Sequence, residues 1–249
     1  MNWPQSCAIV IPCFNEAQHI RKVVAAARGY LPHVFVVDDG SHDLTCDEAR
    51  IAGAHTLRHN SNQGKGAALT SGLATALQKG FTWALVMDGD GQHAASDIPK
   101  FLHCAEDTGA TLVIGNRMGA TNGMPRVRRV VNRWMSRRIS VRAGRCLPDT
   151  QCGFRLIDLR VWRGLELRAQ RFEVESEILF AFVQARQPVE FVPIQVIYKD
   201  EQSKIRPWAD TVRWFRWWHR NSKPVQRSSA STFDGTFASL QENSRPAID

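Results

Sequence analysis

Several common signatures are missing from this 249-residue chain, and each one removes a class of protein. The six cysteines (7, 13, 46, 104, 146 and 152) form no C-x-x-C pair, so neither a zinc ribbon nor a redox dithiol is indicated. Cys7 and Cys13 lie in or beside an apolar stretch and read as buried thiols. No apolar run approaches the roughly 20 residues that cross a bilayer. Residues 1–5 lack the basic and apolar regions of a secretory signal, so a cytoplasmic chain is expected. There is no G-x-x-x-x-G-K-[ST] phosphate loop. No G-x-G-x-x-G follows the first apolar stretch, which excludes the usual dinucleotide-binding start of a nicotinamide oxidoreductase. Acids are also missing locally. Between residues 117 and 145 there is none, although the same segment holds nine arginines, and it accounts for the net charge of +8.

What is present centres on Val86-Met87-Asp88-Gly89-Asp90-Gly91-Gln92-His93. Trp83, Leu85, Val86 and Met87 read as a buried strand. Asp88, Asp90 and Gln92 follow at alternate positions, where side chains point the same way. Converging oxygen donors of this kind suit Mg²⁺ or Mn²⁺ with positions left for phosphate oxygens. A plain polar turn would use the same residue types. Other stretches favour the first reading. Residues 8–11 read as a strand running into Pro12-Cys13-Phe14-Asn15-Glu16, and residues 34–37 as a strand ending in Asp38-Asp39-Gly40-Ser41. Asn62-Gln63-Gly64-Lys65-Gly66 opens a helical stretch to about residue 79, and residues 112–114 end in Gly115-Asn116-Arg117. Strands alternating with helices argue for parallel β-α-β units. Open α/β sheets bind ligands at the carboxyl edge, where all these polar groups fall.

In this order the motifs resemble those of the family 2 glycosyltransferases, and within them the dolichyl- and polyprenyl-phosphate mannosyl- and glucosyltransferases. Later matches are Asp149-Thr150-Gln151-Cys152-Gly153-Phe154-Arg155 and Ser203-Lys204-Ile205, so the resemblance covers about residues 7–206. It implies a GT-A fold, a Rossmann-like α/β architecture with a mostly parallel sheet flanked by helices. It implies inverting transfer of a sugar from a nucleotide-sugar such as GDP-mannose or a UDP-hexose, with Mg²⁺ or Mn²⁺ as cofactor. Pro12, Phe14 and Glu16 match the first nucleotide-contacting loop, and Val37 and Asp39 match positions that hold base and ribose. Asp88 and Gly89 match positions beside the donor, Asp90 and Gln92 the metal ligands, and Arg117 and Lys204 cationic positions near the phosphates. Lys65, at a helix start, could also meet an anion. One catalytic domain is expected over residues 1–221, with a nucleotide-sugar half to 116 and an acceptor half from 117. Residues 222–249, Ser-rich and poor in apolar residues, read as a mobile tail.

The acceptor half carries the arginines. If residues 126–143 are helical, Arg126, Arg129, Arg133 and Arg137 form one stripe, and Val127, Val130, Trp134 and Val141 a neighbouring apolar face. A solvated basic helix is the bland reading. With no glutamate between them these charges repel, so an anionic partner fits: an acceptor phosphate, an anionic membrane surface or nucleic acid. Nucleic acid would leave the acids at the strand ends unexplained, and no nucleic-acid motif occurs. Residues 206–220 mix Trp208, Trp214, Trp217 and Trp218 with Arg206, Arg213, Arg216 and Arg220. That is the composition of an interfacial helix, or of one packed on the domain, and the two weigh equally. The chain is thus expected at the membrane periphery, with a membrane-protein partner left open.

A lipid phosphate arrives as an anion and needs positioning and charge neutralisation, which arginines supply. A hydroxyl acceptor needs a general base. Glu173, Glu175 and Glu177 keep that alternative open, with Glu175 the best catalytic candidate and a helix start the structural reading. The strand of residues 192–198 lacks the arginine that the mannosyltransferases often carry there, and the turn to Ser203 is longer, which leaves donor base and acceptor unassigned. A nucleotidyltransferase would share the metal logic, but a Gly-rich phosphate loop would stand where Pro12-Cys13-Phe14-Asn15-Glu16 does. A non-catalytic relative would not need Asp88, Asp90 and Gln92.

Overall fold

The computed structural model describes residues 1–119, 126–169, 171 and 173–197 together with Trp214, Trp217 and His219, and leaves out the side chains of Arg126 and Arg128. A short α1 (Trp3–Ser6) leads into β1 (Cys7–Cys13), followed by α2 (Ile20–Arg28), β2 (Val34–Asp38), α3 (Thr45–Ile51) and β3 (His55–Arg58). Next come α4 (Lys65–Gln78), β4 (Trp83–Val86), a 3₁₀ turn over Ala95–Asp97, α5 (Ile98–Thr108) and β5 (Leu112–Asn116). The second half adds α6 (Arg126–Ala143), β6 (Arg155–Asp158), α7 (Leu159–Trp162), α8 (Val174–Gln184) and β7 (Val189–Pro193).

β1, β2 and β4 are buried along their whole length, because helices cover both faces of the sheet and leave no solvent side for polar residues. Cys7 and Cys13 belong to β1 and are buried, free thiols, as their sequence context suggests. The seven strands form one sheet in the order β3-β2-β1-β4-β6-β5-β7. All pairings are parallel except those of β6, which runs antiparallel to both β4 and β5. Strands from both halves of the chain thus share one sheet and one continuous core.

The order reverses direction between β1 and β4. The chain moves outward from β1 to β3, then returns to start again at β4. A crevice opens at such a switch point, at the carboxyl ends of the strands. After β7, the backbone returns across that edge. Ile197 N donates to Gln92 O at 2.9 Å and Gln195 N to Asp97 Oδ2 at 2.7 Å, which pins the turn after β4 from outside. Residues 198–213, including Lys204, and residues 220–249 lie outside the described residues.

The candidate active site

The carboxyl ends of β1, β2 and β4 meet around Asp88. Gly89 allows the first contact. A Cβ there would lie 2.5 Å from Cys13 Sγ and 3.4 Å from Glu16 Cγ, so only a glycine lets the β1 loop close on the turn after β4. Gly153 does the same from the other side, where a Cβ would meet Asp88 Oδ2 at 2.7 Å. Pro12 pairs with Val37, one step before the end of the β1–β2 ladder. Phe14 stands edge-on to His42 at 6.2 Å, and Glu16 N donates to Thr45 Oγ1 at 2.7 Å.

Asp39 builds the next piece. Its Oδ1 accepts from Gln63 N (2.9 Å) and its Oδ2 from Gly64 N (2.7 Å), while His59 Nδ1 lies 2.7 Å from Oδ1. The carboxylate expected beside a ribose is therefore engaged in holding the turn into α4. Gly64 takes φ 102°, a conformation that L side chains rarely adopt, and the next residue is Lys65.

Lys65 is the hub. Its Nζ lies 2.7 Å from Asp88 Oδ1 and 2.6 Å from Glu175 Oε1. It thereby joins the nucleotide-sugar half to the acceptor half through one ammonium. Burial disfavours the charge, yet Asp88 and Glu175 together outweigh it and hold the lysine above its ordinary range. Asp88 shows the same balance. Burial alone would raise its pKa, but Lys65, then His93 and Arg117, drive it well below the usual carboxylate range. Asp90 goes the other way, raised by burial and by the neighbouring charge of Asp88. Its Oδ1 accepts from Gln92 N at 2.9 Å.

A divalent cation fits this corner chemically. Asp90 and Gln92 offer hard oxygen donors, and a cation beside Asp90 would relieve the strain of placing its charge near Asp88. Among the described residues no three His, Cys, Asp or Glu side chains gather closely enough to hold a metal, so such an ion would share its coordination with ligand oxygens.

The acceptor side is stiffened by two buried arginines. Arg117 grips Asp149 with two nitrogens, Nε to Oδ2 at 2.7 Å and Nη2 to Oδ1 at 2.8 Å. Burial works against the Asp149 anion, but Arg117 keeps its pKa below normal. Arg155, 1 % exposed, donates to three carbonyls: Cys152 O (2.7 Å), Glu175 O (2.6 Å) and Thr150 O (3.1 Å). It ties the loop that carries Gly153 to the first turn of α8. Glu175 and Glu177 occupy that first turn, where acids are favoured. Glu175 is buried, and its second oxygen, Oε2, has no hydrogen-bond partner among the described residues.

Asp88, Gly89, Asp90, Gln92, Lys65 and Glu175 thus come together as the motifs suggest, with Pro12, Phe14 and Glu16 on the adjoining loop. Arg133 and Arg137 do not join them. They are exposed on α6 and line a separate groove of about 560 Å³ with Arg145. Arg129 is half-buried, the side chain of Arg126 falls outside the description, and Lys204 lies in the undescribed segment. Two of the C-terminal tryptophans are interior. Trp214 and Trp217 are 2 % and 7 % exposed, and their indole N–H groups donate to Ser176 Oγ (3.0 Å) and Glu177 Oε1 (3.4 Å). For these two, packing on the domain prevails over an interfacial position.

His93, Asp149, Gly153 and Arg155 lie within the quoted motifs, but the sequence assigns them no individual role. His93 is buried, stacks on Phe154 at 4.9 Å and accepts from Asp88 N through Nδ1 at 3.2 Å. Burial lowers its pKa, against the opposing pull of Asp88 and Asp90. A signal existed for Arg155: a lone charge between Phe154 and Leu156 in an apolar strand needs buried partners.

A crevice of this construction, at the switch point of a sheet with one antiparallel strand, is that of the GT-A glycosyltransferases. The crystal structure of glucosyl-3-phosphoglycerate synthase from Mycobacterium tuberculosis in complex with Mn²⁺, uridine diphosphate and phosphoglyceric acid matches this fold. The TM-score is 0.69 at 19 % identity, over 88 % of this chain and 79 % of that one. Residues 8–161 match the glycosyl transferase family 2 profile. An uncharacterised protein of Methanocaldococcus jannaschii is 31 % identical over 199 residues, 77 % of this chain and 82 % of that protein. The UDP-N-acetylglucosamine–dolichyl-phosphate N-acetylglucosaminyltransferase of Methanococcus voltae is 28 % identical over 77 % of this chain and 86 % of its own. The polyprenol monophosphomannose synthase of Mycolicibacterium smegmatis is 31 % identical over 66 % of each chain. The chain belongs to glycosyl transferase family 2 and is a glycosyltransferase.

Proposed function

We propose that this enzyme moves a sugar from a nucleotide-sugar to the phosphate of a polyprenyl-type lipid, with inversion at the anomeric carbon, at a membrane surface. The observation that carries this reading is the state of Glu175. It shares Lys65 with Asp88, and the ammonium lies 2.6 Å from its Oε1. A carboxylate tied to this lysine serves to position the site, which suits an acceptor that arrives deprotonated and needs no base. Relatives named for dolichyl- and polyprenol-phosphate products support the same class of acceptor.

In this mechanism an oxygen of the lipid phosphate attacks the anomeric carbon. The bond from that carbon to the nucleoside diphosphate breaks, and the electron pair leaves with the diphosphate. Asp90 and Gln92 would hold Mg²⁺ or Mn²⁺, which when bound supplies positive charge against the departing diphosphate. Asp88, fixed by Lys65 and by the close approach of Gly153, orients the sugar edge of the donor. The Arg117–Asp149 pair sets the wall on the acceptor side rather than offering an unshielded cation.

A second reading rests on Glu175 Oε2. An unpartnered buried carboxylate oxygen could take the proton of an acceptor hydroxyl. The two are separated by assaying a panel of GDP- and UDP-sugars with Mn²⁺ and either a short polyprenyl phosphate or the corresponding polyprenol. Nucleotide release that requires the phosphate, and persists in Glu175→Gln, is the expected result. Equal turnover with the polyprenol, lost in Glu175→Gln, would overturn the phosphate reading.

A further inference from the structure

The outward face of α6 is apolar where a surface helix should be polar. Val127 is 75 % exposed, Val130 65 %, Trp134 36 % and Val141 77 %. At about 100° per residue these four fall within an arc of roughly 60°. The opposite face, with Asn132, Met135, Ser136 and Ile139, is buried against the domain. Ser136 fixes this orientation, since its hydroxyl accepts from Thr150 N at 3.0 Å. The ridge therefore cannot turn inward without breaking the loop that positions Asp149. Arginines run along both flanks. Arg133 and Arg137 lie on one side and lead into the groove with Arg145. Arg138 lies on the other, its guanidinium 5.2 Å from the Trp134 ring.

We infer that α6 is a membrane-docking helix whose valine–tryptophan ridge enters the headgroup layer of an anionic bilayer while Arg133, Arg137 and Arg138 meet lipid phosphates. This deepens the proposed function and rests on it for the lipid nature of the acceptor. Charge complementarity selects the occupant: the segment is wholly basic, so a second copy of this chain would bring like charge against like. A nucleic-acid backbone would meet the arginines but leave the ridge against charged phosphate. An anionic bilayer satisfies both features at once. A helix lying in the interface would also place its neighbour loop, residues 144–150, at the level of the lipid phosphates.

Flotation of the full chain with phosphatidylglycerol vesicles, and with phosphatidylcholine vesicles as the neutral control, tests this. Each basic residue at an anionic surface changes partitioning about fivefold, so Arg133→Glu/Arg137→Glu should lower binding by at least about 25-fold. The ridge is probed by Val130→Asp/Val141→Asp, expected to lower binding at least about tenfold with an unchanged unfolding midpoint. Val130→Ser/Val141→Ser serves should the aspartates disturb the helix. Loss of binding in the arginine pair with none in either valine pair would overturn insertion of the ridge. So would lipid-free dimers that the valine pairs dissolve, or tighter binding to duplex DNA than to the anionic vesicles. Transfer to a short acceptor dispersed in detergent is read in parallel. Variants that lose docking but keep this transfer are the expected result, whereas an unmutated chain that transfers yet fails to bind the anionic vesicles leaves the proposed function standing and sinks this inference. Docking that continues without transfer does the reverse.

Discussion

Replacing Lys65 with methionine removes the ammonium and leaves Asp88 and Glu175, each bound to it at 2.6–2.7 Å, as two acids in one partly dry site. Breaking a buried ion pair by deleting one partner costs about 3–5 kcal/mol, because the remaining charge is uncompensated. Here two charges are stranded, which argues for the upper end. The Asp88 side chain is 25 % exposed, however, so water recovers part of the loss. We expect about 3 kcal/mol in urea unfolding followed at neutral pH without donor. Glu175→Gln in the same background removes one of the stranded charges and should return about 1–2 kcal/mol. The two substitutions must then be non-additive by more than about 0.5 kcal/mol, as for residues in direct contact. A Lys65→Met variant within about 1 kcal/mol of wild type, with additive behaviour in the double variant, would refute the view that this ammonium joins the two halves of the site.

Asp90→Ala should lower metal-dependent donor turnover at least a hundredfold, by roughly 3 kcal/mol of lost charge stabilisation, with the unfolding midpoint unchanged; wild-type turnover would remove Asp90 from the cation site. Gly153→Ala puts a Cβ 2.7 Å from an Asp88 oxygen that Lys65 holds in place. A cost of about 1–3 kcal/mol in stability, with a rise in donor KM, is expected, and a fully active, equally stable variant would show that Asp88 is loose. The Asp149 carboxyl has a lower pKa folded than unfolded, owing to Arg117. The stability it contributes is therefore present above the ordinary carboxylate range, near pH 4, and is lost as pH falls through the lower folded value. The stability gap between wild type and Asp149→Asn should be widest above about pH 5 and narrow towards pH 2; a constant gap would reject the ion pair.

The nucleotide-sugar half was largely legible because its signals are local. A buried parallel strand reads as an apolar run, and the polar residues that follow it fall at the carboxyl edge. That logic places Asp88, Asp90, Gln92 and Lys65 at one sheet edge without any contact information, as the structure does. Partnerships were not legible, since they join residues far apart in the chain. Nothing local says that Lys65 meets Glu175, 110 positions later, or that Asp39 serves the turn before Lys65 rather than standing open. β6 was equally hidden. It is only four residues long and begins and ends on a charge, Arg155 and Asp158, and its reversed direction follows from where the chain re-enters the sheet.

The acceptor half shows a different limit. Periodicity separates the faces of α6 but does not say which one the domain covers. A face of Asn132 and Ser136 looks like the solvent side, and one of Val127, Val130 and Val141 like the core side. The structure places them the other way round. The physical reason is that a buried hydroxyl costs little when its partner is fixed, and Thr150 N supplies that partner at 3.0 Å. The tryptophans follow the same rule. Trp214 and Trp217 can be interior because Ser176 and Glu177 accept their N–H groups, so both indoles satisfy their one polar atom without water. Polar atoms thus anchor this half of the enzyme from within, next to Glu175, while plain aliphatic surface is left outside. Of the ridge, Trp134 leans on Trp214 at 5.6 Å, while the exposed valines have no polar atom to satisfy within the domain. The ridge gains most from a hydrocarbon boundary, and the surrounding arginines select an anionic one.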